Sequence, residues 1–208
     1  GRAAEFIAAV EAREIDVIVG TQLVTKGFHF PELTLVGVVD ADLGLEGGDL
    51  RAGERTYQQV AQVAGRAGRG SKPGEVLIQT RHPEAPVIAA LAAGDRDAFY
   101  SAETEMRREA GAPPFGRWAS IIISSEDDGE AREAANRLGA FRPDVADCMI
   151  LGPAPAPMAL LRGRYRYRFL INARRSVQLQ HVIRRWLTQV DHPAGVRVAV
   201  DIDPYSFV

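Results

Sequence analysis

Three short runs of continuously apolar residues set the tightest limit on how this chain can fold. Residues 16–20 (Asp-Val-Ile-Val-Gly), 34–39 (Thr-Leu-Val-Gly-Val-Val) and 74–80 (Gly-Glu-Val-Leu-Ile-Gln-Thr) lack the polar alternation of a half-exposed strand. A run that is apolar towards both faces belongs in a parallel sheet covered on both sides, with helices connecting its strands. The segment 54–69 between the second and third runs reads as one such helix. In a layer of this kind the loops that follow the strands face ligands. Ahead of the first run, Phe6, Ile7 and Val10 form an apolar stripe in a helix over residues 2–13, with no cap or strand before it. Such a beginning is expected of a fragment of a longer chain.

The pattern changes after residue 80. Pro83 and Pro86 interrupt it, helices are predicted over 85–93 and 95–110, and Pro113-Pro114 marks a domain boundary. Two domains are therefore expected, 1–112 and 113–208. The second reads as a strand (118–125), a helix (129–140), an apolar stretch with a proline-rich interruption (149–161), a strand (165–173), a helix (177–190) and a strand (196–202). That order, βαββαβ, predicts an α+β split βαβ (ferredoxin-like) domain, with two helices on one face of an antiparallel sheet.

Composition excludes several classes. With 46% hydrophobic and 25% charged residues, this is the profile of an ordinary soluble protein, and 208 residues bury a core without covalent staples. The single cysteine, Cys148, rules out an internal disulfide or a cysteine-based zinc cluster within these residues. It lies in an apolar run and reads as a buried thiol. The four histidines (His29, His82, His181, His192) are scattered, so no metal site is expected. No apolar stretch approaches the roughly 20 residues of a membrane span, and a cytoplasmic location follows by default. A net charge of −2 decides nothing about nucleic acid; the distribution of charge must.

Residues 62–69, Gln-Val-Ala-Gly-Arg-Ala-Gly-Arg, are the most informative stretch. As the end of a helix they set Gln62, Arg66 and Arg69 at spacings of four and three, on one face. Gly65 and Gly68 each weaken a helix by roughly 1 kcal/mol. Their missing Cβ atoms let another backbone or a ligand come close. Two guanidinium forks beside an amide suit a polyphosphate. The plainer reading is a helix C-terminus capped by Gly70. Upstream, Thr21, Gln22, Thr25, Lys26 and Gly27 gather hydroxyls, an amide, an ammonium and a free N–H in one loop, a set that grips a phosphate backbone without reading bases. The plainer reading there is a βα turn in which Thr25 caps and Lys26 is solvated.

Gln-x-x-Gly-Arg-x-Gly-Arg resembles motif VI of superfamily 2 helicases, the arginine-finger helix of the second RecA-like lobe. Residues 19–31 resemble motif V of that lobe, departing from helicases at large at His29, where Asp is usual. Asp40-Ala41-Asp42-Leu43-Gly44-Leu45 and Asp201-Ile202-Asp203-Pro204 narrow the resemblance to the bacterial replication-restart helicases, the primosomal protein N-prime family, over nearly the whole chain. The resemblance implies that residues 1–112 are a partial second RecA-like lobe with a helical extension, and that 113–208 are a C-terminal DNA-binding domain. It implies an ATP-dependent DNA helicase that restarts stalled replication forks and starts primosome assembly. Arg66 and Arg69 would reach the β- and γ-phosphates of ATP, with Gln62 positioning the γ-phosphate or the attacking water. Gly27 and His29 would face the nucleotide, and Thr21, Gln22, Thr25 and Lys26 the translocated strand. Implied partners are branched DNA, single-stranded DNA, the single-stranded DNA-binding protein and primosome proteins. ATP and Mg2+ would be bound mainly by a first lobe. The family's zinc is not expected on these residues.

No Gly-x-x-x-x-Gly-Lys-Ser/Thr loop and no Asp-Glu pair ending a strand occurs here, so this chain alone is expected not to hydrolyse ATP. A second basic stretch is Arg162-Gly163-Arg164-Tyr165-Arg166-Tyr167-Arg168. Strand alternation sets Arg164, Arg166 and Arg168 on one face and Tyr165, Tyr167 and Phe169 on the other. If the aromatics face the helices, the arginines line the open face, with Arg162 and Arg174 at the ends. From Pro157 to Arg197 nine arginines face Asp191 alone, an excess that attracts a phosphate backbone; a solvated sheet face is the plainer alternative. Two other functions stay open on the residues: a non-catalytic nucleic-acid-binding module, or part of a branch-migration or repair helicase.

Overall fold

The structure, a computed structural model, describes residues 2–20, 33–45, 49–68, 73–205 and 207. They group into two units, Gly1–Gly47 with Ala52–Tyr100, and Gly48–Arg51 with Ser101–Val208. The first unit opens with helix α1 (Arg2–Glu11). The second and third apolar runs form β1 (Leu35–Val38) and β2 (Glu75–Ile78), paired in parallel with Val36 opposite Val76. Helix α2 (Ala52–Ala64) connects them, and α3 (Pro86–Ala93) and the start of α4 (Arg96–Glu109) follow. The segment of α3, Pro-Val-Ile-Ala-Ala-Leu-Ala-Ala, is apolar all round, and Val87, Ile88 and Ala90 are buried with Ala41 and Phe99. Phe99 stacks on Tyr57 with ring centroids 4.1 Å apart.

The first apolar run departs from expectation: residues 16–20 form no strand, and Val17 and Val19 are 77% and 94% exposed. An apolar run states a preference for burial, but a parallel strand is stabilised only where a neighbour pairs with it and both faces are covered. Val17 and Val19 have no such cover.

The segment Asp40-Ala41-Asp42-Leu43-Gly44-Leu45 serves the fold. Asp40 Oδ1 accepts the N–H groups of Asp42 and Leu43, both at 3.1 Å, and so starts a 3-10 turn over Asp42–Gly44. Asp42 is buried and accepts from Thr80 Oγ1 (2.5 Å), Arg81 N–H (2.7 Å) and Arg81 Nε (3.3 Å). The Thr80 hydroxyl first, then the Arg81 amide, hold its carboxyl below the usual carboxylate value. The unfolded chain therefore takes up this proton more readily than the folded one. The contribution is complete above the unfolded pKa of about 3.9 and is lost as pH falls through the lower folded value. Asp42→Asn is expected to melt earlier than wild type at pH 7, with the gap closing in acid. Melts followed by tyrosine near-UV circular dichroism from pH 7 to pH 2 check this; a gap independent of pH contradicts it.

The second unit carries β3 (Gly116–Ser125), α5 (Asp128–Ala140), β4 (Cys148–Leu161), β5 (Arg164–Arg174), α6 (Leu179–Leu187) and β6 (Arg197–Ile202), the expected βαββαβ order. The sheet order is β4-β5-β3-β6 and every neighbouring pair is antiparallel. β3-α5-β4 therefore straddles β5, and β5-α6-β6 straddles β3, so the two βαβ units interleave. Both helices pack on one sheet face, where Ile121, Ile123, Leu138, Phe169, Leu179 and Trp186 are fully buried. The side chain of Asp127 caps α5 through Glu130 N–H at 2.9 Å.

The proline-rich interruption at 149–161 lies within a strand after all. β4 runs through Pro153, Pro155 and Pro157, with register shifts between Leu151 and Ala154 and between Pro155 and Leu160. Prolines are tolerated there because β4 is an edge strand. The tail segment closes the opposite end of the sheet. Asp203, in the left-handed region at φ 53°, exchanges hydrogen bonds with the Trp118 main chain and accepts from Arg117 Nε at 2.7 Å. On the face away from the helices, Trp118, Phe207 and Ala112 form a smaller cluster.

Candidate functional site

The helix that was to present Gln62, Arg66 and Arg69 on one face ends at Ala64. Gln62 stands exposed on its last turn, half-buried Arg66 lies on the turn beyond it, and Arg69 is outside the described residues. The two glycines explain the difference. Gly65 N–H still reaches Ala61 O (2.9 Å), but Arg66 and Ala67 bond three residues back, and Gly68 turns left-handed at φ 73°. Gly68 therefore takes a left-handed position, and Gly70, the expected cap, lies outside the described residues. A Cβ on Gly68 would stand 2.6 Å from Gly74 N, and one on Gly74 would stand 2.4 Å from Gly68 N. At Gly68 the missing side chain thus makes room for another stretch of backbone.

Gly65 is different. It is exposed, and among the described residues a Cβ there would meet its own helix, Ala61 O at 3.3 Å. Packing among the described residues does not call for a glycine at this position. The turn also lies at the amino ends of the two strands, opposite the loops that follow them, where ligands are expected. Gly68 N–H donates to Leu33 O (3.0 Å), just ahead of β1, and Gly74 stands just ahead of β2. A helix joining two parallel strands runs back against them, so its C-terminus returns to their amino ends. At their carboxyl ends, Asp42 and Thr80 are already engaged with each other. Thr21, Gln22, Thr25, Lys26, Gly27 and His29 lie outside the described residues.

In the second unit the alternation of β5 holds. Phe169 is fully buried edge-on to Trp186, with ring centroids 5.0 Å apart, and Tyr167 Oη donates to Asp128 Oδ1 at 3.0 Å. Burial first, and then that carboxylate, raise the Tyr167 pKa above its usual value. Arg164, Arg166 and Arg168 take the other face, yet they do not form an open row of free cations. Arg164 donates to Ser124 O (2.9 Å) and Gly195 O (2.7 Å), Arg166 to Met158 O (3.3 Å) and Arg168 to Phe207 O (3.0 Å). Burial lowers the Arg168 pKa from its usual value, with the Asp49 charge opposing. Arg162 is exposed at the β4–β5 turn at φ 51°, and exposed Arg174 pairs with Asp147 at 3.2 Å. Sequence reasoning left out Arg197, which is exposed and stands opposite Ser124, itself opposite Arg166. The three residues form a row across three strands. Alternation in 197–202 was readable, but not the pairing that makes the row.

Residues 108–205 match the family model of the primosomal protein N C-terminal domain. The whole chain is 45% identical over 204 residues to the replication restart protein PriA of Rickettsia conorii, a match that covers 98% of this chain and 31% of that protein. The chain belongs to the PriA family. The PriA of Treponema pallidum is 40% identical over 99% of this chain, and that of Bacillus subtilis 35% over 98%. The chain spans 32% and 26% of those two proteins.

Both segments that narrowed the resemblance to the PriA family, 40–45 and 201–204, act within the fold, through Asp42 and Asp203. At the Gly-Arg turn, exposed Gly65 stands beside the half-buried Arg66, and a guanidinium of this kind suits a phosphate-bearing ligand such as ATP. A divalent cation does not fit in the same way. No group of three His, Cys, Asp or Glu side chains among the described residues could hold a metal ion. No helix among them is long and apolar enough to cross a membrane.

Proposed function

We propose that this PriA-family chain supplies one wall of the nucleotide site, and a DNA-binding domain, of an ATP-dependent DNA helicase that restarts stalled replication forks and starts primosome assembly. Residues 1–112 are then part of a second RecA-like lobe and 113–208 the C-terminal DNA-binding domain. The observation that carries the nucleotide reading is the contrast between the two glycines. Gly68 is occupied by backbone, while Gly65 opens outward beside Arg66. Arg66 and Arg69 would hold triphosphate oxygens, with Gln62 near the γ-phosphate and Gly27 and His29 against the nucleotide. ATP, with Mg2+ held elsewhere in the longer protein, supplies the phosphoryl group. The guanidinium groups neutralise the charge that develops as it transfers. Thr21, Gln22, Thr25 and Lys26 would hold the translocated single strand. The arginines of the second unit (Arg162, Arg164, Arg166, Arg168 and Arg174) would contribute to contact with branched DNA. The single-stranded DNA-binding protein and primosome proteins are the partners this reading implies, in the cytoplasm.

The two glycines supply the test. Gly68→Ala is expected to destabilise the first unit by about 2 kcal/mol or more, from a left-handed alanine and a backbone overlap. Gly65→Ala should change stability by less than about 1 kcal/mol. In the full-length helicase, however, it should lower DNA-stimulated ATP hydrolysis at least about tenfold, because its methyl group enters the space left for the ligand. Denaturation of each variant is read beside steady-state ATPase. A Gly65→Ala helicase with wild-type turnover would remove the basis for the nucleotide reading.

A further inference from the structure

The inner face of α6 is filled by Leu179, Ile183 and Trp186, which are 0%, 3% and 0% exposed. Its outer face shows His181, Arg184, Arg185 and Thr188, all exposed and at spacings of three and four. Exposed Arg175 precedes it on the turn after β5. No carboxylate occurs anywhere from Cys148 to Val190. Arg175, Arg184 and Arg185 make no ion pair with a described residue. The neighbouring helix α5 exposes Arg132 and Arg137 against Glu130 and Glu133, so it does not neutralise this face; Asp191 follows the helix. His181 Nδ1 lies 2.5 Å from Gln178 Oε1, and Thr188 Oγ1 donates to Arg185 O at 2.9 Å, so the polar groups between the arginines are held in place.

This differs from β5. There three arginines already donate to carbonyl groups of their own domain, and turning them to a ligand would break those hydrogen bonds. The side chains of Arg184 and Arg185 make no such bonds to described residues. The face also lacks the exposed apolar centre of a protein–protein interface, since Val182 and Leu187 are half-buried and the rest is polar. Cations with interleaved hydrogen-bonding groups and no apolar centre match a phosphate backbone. We infer that the outer face of α6, with Arg175 ahead of it, is the main surface by which the second unit grips the DNA backbone, on the side of the sheet away from the β5 arginines. The inference rests on the DNA-binding reading above and names the surface that performs it. Contacts of this kind do not discriminate sequence and weaken steeply with salt.

The test uses the 208-residue chain and a fluorescent forked duplex with single-stranded arms, titrated by anisotropy at several salt concentrations. Arg184→Ala/Arg185→Ala should bind at least about tenfold more weakly at low salt, with a log–log salt slope smaller by about 2. Arg184→Lys/Arg185→Lys should keep the slope. Arg175→Glu, outside the helix, is a second variant that leaves α6 intact, and it should also weaken binding. Poly-glutamate at matched charge should compete poorly with DNA. Wild-type binding that the alanine and Arg175→Glu variants reproduce in affinity and slope would overturn the α6 assignment and leave the DNA-binding reading standing. Equal competition by poly-glutamate would assign the face to an acidic protein. A wild-type chain with no salt-dependent DNA binding would overturn the DNA-binding reading itself.

Discussion

If Arg66 and Arg69 act as proposed, replacing either by Ala in the full-length protein is expected to lower kcat for DNA-stimulated ATP hydrolysis by about 10³ to 10⁵, the range typical of arginine fingers. Nucleotide binding should persist. A guanidinium that meets charge developing during phosphoryl transfer stabilises the transition state more than the bound ground state, so its loss falls on kcat. Lysine should restore little, because a compact ammonium cannot bridge two phosphate oxygens as a planar fork does. Single-turnover hydrolysis beside equilibrium nucleotide binding separates the two quantities. Variants with unchanged kcat and merely weaker ATP affinity would show that these arginines bind nucleotide without acting on the chemical step.

The second large effect is structural. Trp186→Ala should destabilise the second unit by about 3–5 kcal/mol. Trp186 is 0% exposed, packs edge-on against Phe169 and donates its indole N–H to Leu138 O at 2.9 Å. It therefore joins α6, β5 and α5, and its removal leaves a cavity and takes from Leu138 O one hydrogen bond beyond the one it accepts from Phe141 N–H at 3.1 Å. Trp186→Phe keeps most of the packing and loses only the hydrogen bond, so about 1–2 kcal/mol is expected. Urea unfolding followed through Trp118 fluorescence measures both variants. A loss below about 1 kcal/mol for the alanine variant would mean that α6 is not anchored as described.

The sequence by itself determined what depends on near neighbours along the chain. The order βαββαβ after Pro114 was readable because strands and helices carry their own periods of burial. The same period set Tyr167 and Phe169 towards the helices and the arginines of β5 away from them. The family was legible because a few residues at fixed spacing, around Gly65-Arg66 and Asp40-Asp42, are specific in combination.

Tertiary structure decided everything that needed a distant partner. Whether an apolar run becomes a strand depends on who pairs with it, and residues 16–20 have no pairing partner among the described residues, whereas 35–38 have β2. The glycines after Ala64 let helix α2 end there, but that Gly68 meets the backbone of Gly74 is a contact no local propensity encodes. The β5 arginines were expected as open cations, but carbonyls of Ser124 and Phe207, remote in sequence, and of Met158 on the neighbouring strand occupy them. Arg197 joins Arg166 across β3 only because the two βαβ units interleave. A periodic pattern states which face of an element is buried. It does not state which distant backbone group will be waiting there, because that is set by the packing of whole elements against one another.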